Sequence, residues 1–144
     1  MKVLEKIIVA VISSIILSLA LAFLMYTPVA EQQSGVGYSY FKSLIILYLI
    51  YSLPVYLIGG GLYSAFVDVY IDSIQFRNKF IKYIVGLFVY GVGGLLIIGL
   101  IFLFDSNHSM LDILKVLIFG LLAALLFFHV SIILKKAFGF LDEN

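Results

Sequence analysis

Four long stretches without a charged side chain constrain this sequence more than any other feature. They are strongly apolar, 19 to 25 residues long, and occupy 7–30, 43–67, 83–104 and 116–134. Because an α-helix rises about 1.5 Å per residue, ~20 residues cross the ~30 Å hydrocarbon core of a bilayer. The stretches lack the alternation of a membrane β-strand. The sequence therefore predicts an all-α membrane protein with four transmembrane helices in one bundle. This single integral membrane domain covers 1–144, with helices at approximately 5–27, 43–67, 81–104 and 110–135.

The overall composition argues against a water-soluble domain. Of the 144 residues, 64% are hydrophobic and 12% are charged, whereas an average soluble domain has roughly 25% charged residues. A chain of this length could not bury so much apolar surface by itself. The net charge of +1 gives no attraction to nucleic acid. The absence of cysteine excludes disulfides, thiol chemistry and thiolate metal sites.

The basic residues predict the orientation, because Lys and Arg are enriched in cytoplasmic segments. One side of the predicted membrane carries seven of them, at Lys2, Lys6, Arg77, Lys79, Lys82, Lys135 and Lys136. The other side carries only Lys42 and Lys115. We therefore expect a multi-pass protein of the cell membrane, with both termini in the cytoplasm.

The first apolar stretch has a second interpretation. A basic start, an apolar run and the small-residue sequence Ala20-Leu21-Ala22 also resemble a secretory signal peptide. The uncharged run continues through Tyr26, which is longer than the apolar part of a usual signal. We favour a retained first helix over a cleaved signal.

Small residues recur at helical spacing in three of the four predicted helices. Such stripes let membrane helices approach closely. The residues are Ala10, Ser14, Ser18 and Ala22 in the first helix, Gly86 and Gly93 in the third, and Gly120 and Ala124 in the fourth. The stripe on the first helix could be a dimer face, but we favour packing against another helix of the same chain.

One polar layer is expected inside the bundle. His129 lies six residues before Lys135, about 9 Å from the cytoplasmic end of the fourth helix. Ser13, Ser14 and Tyr63 lie at a similar depth on the other helices, so these side chains could meet. Ionisable residues inside a membrane often have a function. A satisfied packing network is nevertheless the interpretation that we favour for this candidate polar layer.

The second helix is predicted to continue as an amphipathic cytoplasmic segment over approximately 64–80. Its polar face is formed by Ser64, Asp68, Asp72, Gln75, Lys79 and Lys82. We expect the Asp68–Asp72 pair to belong to a solvated face rather than to a metal site, since two carboxylates make a poor cage. Arg77, Lys79 and Lys82 could attract anionic lipid.

A second group of polar residues lies in the predicted outer loop, at Asp105, His108 and Asp112. Ser109 with Asp112 three residues later is typical of a helix start. We favour capping over metal binding here and expect no cofactor.

The segment LPVYLIGGGLYSAFVD, residues 53–68, combines a proline with three glycines. No Lys-Ser or Lys-Thr follows the glycines, so a phosphate-binding loop is excluded. Irregular backbone is not tolerated in lipid. We therefore expect a helix, kinked near Ile50–Pro54, in which Pro54 and Gly59, Gly60 and Gly61 form a hinge and a packing notch.

The same segment resembles the middle of a family of uncharacterised small four-helix membrane proteins from Gram-positive spore-formers. The resemblance covers about a tenth of the chain and implies no chemistry. A composition rich in Ile, Phe, Tyr and Lys fits a low-GC Gram-positive source.

No catalytic motif is present, and no charged residue interrupts the four stretches. We therefore expect a non-enzymatic interaction protein: a modulator, an immunity factor against a membrane-active toxin, or an accessory subunit. Its partners would be the lipid bilayer and a membrane protein or a second copy of itself. The alternative is a small homo-oligomeric transporter or channel.

Overall fold

The computed structural model describes residues 3–76, 78–102 and 110–142, and for residues 72, 101–102, 110–112 and 138–142 it describes only the backbone. Within these ranges all regular structure is helical. The helices are α1 (Val3–Met25), α2 (Phe41–Pro54), α3 (Tyr63–Ser73), α4 (Lys79–Phe102) and α5 (Met110–Asp142). A π-helical segment, Val55–Leu62, joins α2 to α3 without a break, and a short 3-10 turn, Val29–Glu31, follows α1.

The all-helical class and the four apolar spans predicted from sequence are confirmed. Four stretches of the described residues are long and apolar enough to cross a membrane, with mean hydropathy between 1.9 and 2.9 in their most apolar windows. They are Val3–Glu31, Phe41–Ile71, Lys79–Leu100 and Ile113–Ala137. Three of them contain an uncharged stretch completely, and Lys79–Leu100 contains the third stretch as far as residue 100.

The helices pack as two antiparallel pairs, α1 against α2 and α4 against α5. Helix α1 also contacts α5 and the π-helical segment, and α3 contacts α4. The buried core lies where these elements meet. Its members are Val9, Ala10, Tyr56, Val67, Ile71, Tyr90, Phe127, Phe128 and Val130.

The small-residue stripe of α1 lies inside the protein. Ala10, Ser14, Ser18 and Ala22 have no exposed surface in the single chain. The hydroxyl oxygens of Ser18 and Ser52 are 3.1 Å apart, which joins α1 to α2. This burial confirms packing within the chain as the role of the stripe.

The glycine-rich segment is helical, but its turns are wider than those of an α-helix. The π-helical repeat begins at Val55, directly after Pro54. Proline has no N–H to donate to the preceding turn, and its ring crowds the carbonyl four residues earlier. A wider turn keeps the backbone groups paired within the helix, as an apolar environment requires. The irregularity expected at Pro54 thus takes the form of a change in helical repeat.

The amphipathic segment expected over 64–80 is not one continuous helix. Helix α3 ends at Ser73, whose hydroxyl donates to the carbonyl of Tyr70, and Ile74 is extended. Asn78 then caps α4, because its side-chain oxygen accepts a hydrogen bond of 3.1 Å from the N–H of Phe80. Lys79 therefore begins α4 and does not continue the polar face of α3.

Candidate functional site: a buried ion pair and an apolar cavity

An ion pair joins α1 to α3 inside the protein. The ammonium group of Lys6 lies 3.0 Å from Asp68 Oδ2, and the side chains of Lys6 and Asp68 are only 10% and 22% exposed. Lys6 also donates a hydrogen bond of 2.8 Å to the hydroxyl of Ser64, which has no exposed surface. Ser64 and Asp68 are four residues apart and therefore lie on the same face of α3.

Tyr90 connects this ion pair to α4. Its hydroxyl donates to Asp68 Oδ1 over 3.1 Å, so both carboxylate oxygens of Asp68 have a partner. The ring of Tyr63 packs edge-on against Tyr90, with the ring centroids 6.0 Å apart. We call Lys6, Ser64, Asp68 and Tyr90 the polar cluster. Opposite charges and matched hydrogen bonds make its burial tolerable in an apolar interior.

The polar cluster corrects the expectation that Asp68 belongs to a solvated face. Gln75 and Lys79 are exposed, whereas Asp68 points into the protein toward Lys6. The reason is the long side chain of Lys6, which supplies a countercharge from another helix. The side chain of Asp72 and the whole of Arg77 lie outside the described residues.

The predicted polar layer of Ser13, Ser14, Tyr63 and His129 does not form. Ser14 donates to the carbonyl of Val11, and Tyr63 donates to that of Val89 over 2.8 Å. Ser13 is fully buried, and its hydroxyl has no hydrogen-bond partner. Position along each helix can be counted from the sequence, but these side chains project in different directions.

His129 is exposed and bonds elsewhere. Its Nδ1 lies 2.7 Å from the carbonyl oxygen of Leu125, and its Nε2 lies 3.0 Å from the hydroxyl of Tyr83. A carbonyl oxygen only accepts, so Nδ1 carries a proton, and in the neutral ring Nε2 accepts from Tyr83. Both ring nitrogens are satisfied at the outer surface of α4 and α5.

An apolar cavity of about 490 Å³ lies next to Tyr63 and Tyr90, and these two residues separate it from Asp68. This volume is within the ~300–1,000 Å³ typical of ligand sites. None of the described residues that line it is charged. The lining residues are Leu17, Leu21, Met25, Tyr48, Tyr51, Ser52, Val55, Tyr56, Gly60, Tyr63, Tyr90, Gly93, Gly94, Ile97, Ile98, Phe119, Gly120, Ala123, Ala124 and Phe127.

The cavity is closed at one end and open at the other. At the closed end Phe127 and Tyr90 are 2% and 4% exposed, and Phe127 stacks on Tyr56 with centroids 5.7 Å apart. At the open end Met25, the last residue of α1, is 61% exposed. Tyr51 also lines the cavity and is 68% exposed, but it lies ten residues after the start of α2, about 15 Å along that helix. The polar cluster lies beyond the closed end.

The predicted hinge and packing residues have different surroundings. A Cβ on Gly60 would contact the ring of Phe127, one on Gly86 that of Phe128, and one on Gly93 that of Tyr63. A Cβ on Gly59 would lie 3.1 Å from the side chain of Ile97, whereas one on Gly61 would meet only the carbonyl oxygen of Tyr56, at 3.8 Å. Pro54 directly precedes the π-helical segment. The missing side chains of Gly60 and Gly93 thus make room for the rings that close the cavity.

Within the described residues, no three acidic or histidine side chains form a set that could hold a metal ion. Asp105 and His108, and the side chain of Asp112, lie outside those residues. The i, i+4 spacing of Ser64 and Asp68 was visible in the sequence. Their partner Lys6 was not recognised, because its charge was used only to predict the orientation of the chain in the membrane.

No known protein family, curated protein or solved structure matches this chain.

Proposed function

We propose that this chain is a non-enzymatic, multi-pass protein of the cell membrane that acts by interaction, as a modulator, an immunity factor or an accessory subunit. The observation that carries the proposal is the mutual pairing of polar groups. Lys6, Ser64, Asp68 and Tyr90 bond to one another, and His129 bonds to Tyr83 and to backbone. A nucleophile or general base needs a reactive atom that faces a substrate, and these groups face each other.

The proposed orientation places both termini and the segment between α3 and α4 in the cytoplasm, in a single four-helix bundle. It is supported by the distribution of basic residues, seven against two. Lys79 is exposed at the start of α4, where it would meet anionic lipid headgroups. The resemblance of residues 53–68 to small membrane proteins of Gram-positive spore-formers is in keeping with this location.

The interaction role is tested by isolating the protein from its native membrane in a mild detergent after crosslinking. Native mass spectrometry then gives the mass of the complex. We expect a stoichiometric complex with a different membrane protein or a toxin peptide, and protection of cells from that toxin if the role is immunity. A protein that is found only as a homo-oligomer and conducts ions in liposomes would overturn the proposal.

A small homo-oligomeric transporter or channel is the second candidate. The observation that favours it is the position of the Lys6–Asp68 pair next to a cavity, since ionisable residues inside membranes often mark transport pathways. In that case Asp68→Asn would abolish substrate uptake into liposomes while the protein stays folded. Uptake that equals that of protein-free liposomes would exclude this second function.

A further inference from the structure

We propose that the apolar cavity binds one hydrocarbon chain of a membrane lipid, which enters at the open end beside Met25, the last residue of α1. The headgroup of that lipid stays outside, at the level where α1 ends. The inference rests on the proposed membrane location but not on the interaction role of the protein.

The chemistry of the lining favours a hydrocarbon. Polar atoms near the closed end already have protein partners. The hydroxyls of Tyr56, Tyr63 and Tyr90 donate to Ala123, Val89 and Asp68, respectively. The hydroxyl of Ser52 pairs with that of Ser18. A ligand with donors or acceptors at this depth would leave them unpaired, which is costly in an apolar site.

The shape of the cavity favours a single slender chain. From Leu17 to Met25 the lining covers about 12 Å along α1, and from Tyr48 to Tyr63 it covers about 20 Å along the second span. The volume of about 490 Å³ then corresponds to a mean cross-section of about 25–40 Å². An elongated space of this kind suits one extended chain that runs along the helices.

The depth of the cavity matches one leaflet of a bilayer. Tyr90, at the closed end, lies eleven residues after Lys79, about 16 Å along α4. Half of the hydrocarbon core is about 15 Å thick. The cavity therefore runs from near the middle of the membrane to the interface at the end of α1, parallel to the lipid chains around it.

Photolabelling with a phosphatidylcholine that carries a diazirine at the end of one acyl chain tests this inference. The full-length protein is reconstituted in nanodiscs with this probe, irradiated and digested, and the labelled residues are mapped by mass spectrometry. We expect labels at the closed end, on Leu17, Tyr90 or Phe127. A probe with its diazirine near the glycerol should instead label Met25.

A matched pair of variants tests whether the cavity itself is responsible. Ala123→Phe fills the cavity, whereas Ala65→Phe adds the same side chain on the exposed side of α3. We expect Ala123→Phe to lower labelling at the closed end about tenfold, a change of about 1.4 kcal/mol in binding. Ala65→Phe should leave it unchanged.

A measurement on the unaltered protein covers the case in which Ala123→Phe does not fold. In that protein the chain-end probe should label Phe127, which is 2% exposed, as well as the exposed side chains of Phe66 and Phe88. Label on Phe66 and Phe88 without label at the closed end would overturn the lipid site and leave the membrane location intact. A lack of label on Phe66 and Phe88 would contradict the membrane location itself.

Discussion

The hydroxyl of Tyr90 donates a hydrogen bond of 3.1 Å to Asp68 while the ring of the same residue lines the apolar cavity. Tyr90 therefore separates the ion pair from the cavity and touches both. The bond also fixes the ring at the closed end, where Phe127 stacks beside it with centroids 6.3 Å apart. A single aromatic side chain thus links the Lys6–Asp68 ion pair to the apolar cavity between the helices.

The Lys6–Asp68 pair is predicted to contribute to stability mainly through mutual neutralisation. Lys6→Met leaves an uncompensated carboxylate, and Asp68→Asn leaves an uncompensated ammonium group. Each single variant should lower the free energy of unfolding by about 2–4 kcal/mol. The double variant should lose much less than the sum, because neither charge is then buried alone. The amide oxygen that Asp68→Asn introduces would still accept the hydrogen bond from Tyr90. Denaturant titration in mild detergent measures all three variants.

The exposed Lys79 provides the control for that cycle. Lys79→Met removes the same charge at the start of α4, and its effect should stay within about 0.5 kcal/mol. Additive losses in the Lys6 and Asp68 variants would show that the two charges do not interact.

The close approach of α4 to α5 depends on Gly94. A Cβ at this position would lie 2.5 Å from the Cβ of Ala124 and 2.5 Å from the carbonyl oxygen of Gly120. Since the backbone of α5 cannot rotate away as a side chain could, Gly94→Ala should lower the free energy of unfolding by about 1–3 kcal/mol.

Gly99 is the matched position, because a Cβ there meets nothing within 4 Å. Gly99→Ala should raise stability by up to about 1 kcal/mol through the better helix propensity of alanine. Thermal unfolding of both variants, followed by circular dichroism, compares them directly. Equal effects at the two sites would refute the packing role of Gly94.

The four spans could be predicted from the sequence because span length and hydropathy are local properties of the chain. The rotation of each helix about its axis is not local, since it depends on which neighbour each face meets. For this reason the positions of Tyr63 and His129 along their helices could be counted, whereas their side chains do not meet Ser13 and Ser14. The pairing of Asp68 with Lys6, 62 residues away, required the same missing information.

Two features of the fold have local sequence signals from which they could have been predicted. Asn78 before a long apolar run is a typical helix N-cap, and it would have placed the start of α4 at Lys79. Pro54 followed by three glycines was taken to indicate a kink, although a wider helical turn also relieves the clash at proline. The cavity had no such signal, because it is lined by residues of all four spans, which meet only in the folded chain.

The two buried serines Ser13 and Ser18 are predicted to have opposite effects on stability. The Ser13 hydroxyl is buried without a partner. The Ser18 hydroxyl donates to the carbonyl of Ser14 over 2.7 Å and lies 3.1 Å from Ser52 Oγ. Ser13→Ala removes an unsatisfied group and should raise stability by about 1 kcal/mol, whereas Ser18→Ala should lower it by about 1 kcal/mol.

Because both serines lie on α1 and both have no exposed surface, they differ in hydrogen bonding rather than in burial. The two variants should therefore be compared in one detergent by thermal unfolding. A loss of stability in Ser13→Ala equal to that in Ser18→Ala would mean that the Ser13 hydroxyl has a partner after all.

His129 is predicted to hold its proton on Nδ1 and to have no role in transport. Nδ1 donates to the carbonyl of Leu125 and Nε2 accepts from Tyr83, so neither nitrogen is available for a substrate. His129→Phe should leave any transport or binding activity unchanged.

Nitrogen NMR of the histidine-labelled protein should show a protonated Nδ1 and an unprotonated, hydrogen-bonded Nε2. The only other histidine is His108, so His108→Ala assigns the signals. Tyr83→Phe removes the donor to Nε2 and should lower the free energy of unfolding by about 1 kcal/mol. In a protein that already carries His129→Phe, the same substitution should not lower it further. A proton on Nε2, or loss of transport in a folded His129→Phe protein, would contradict this structural role.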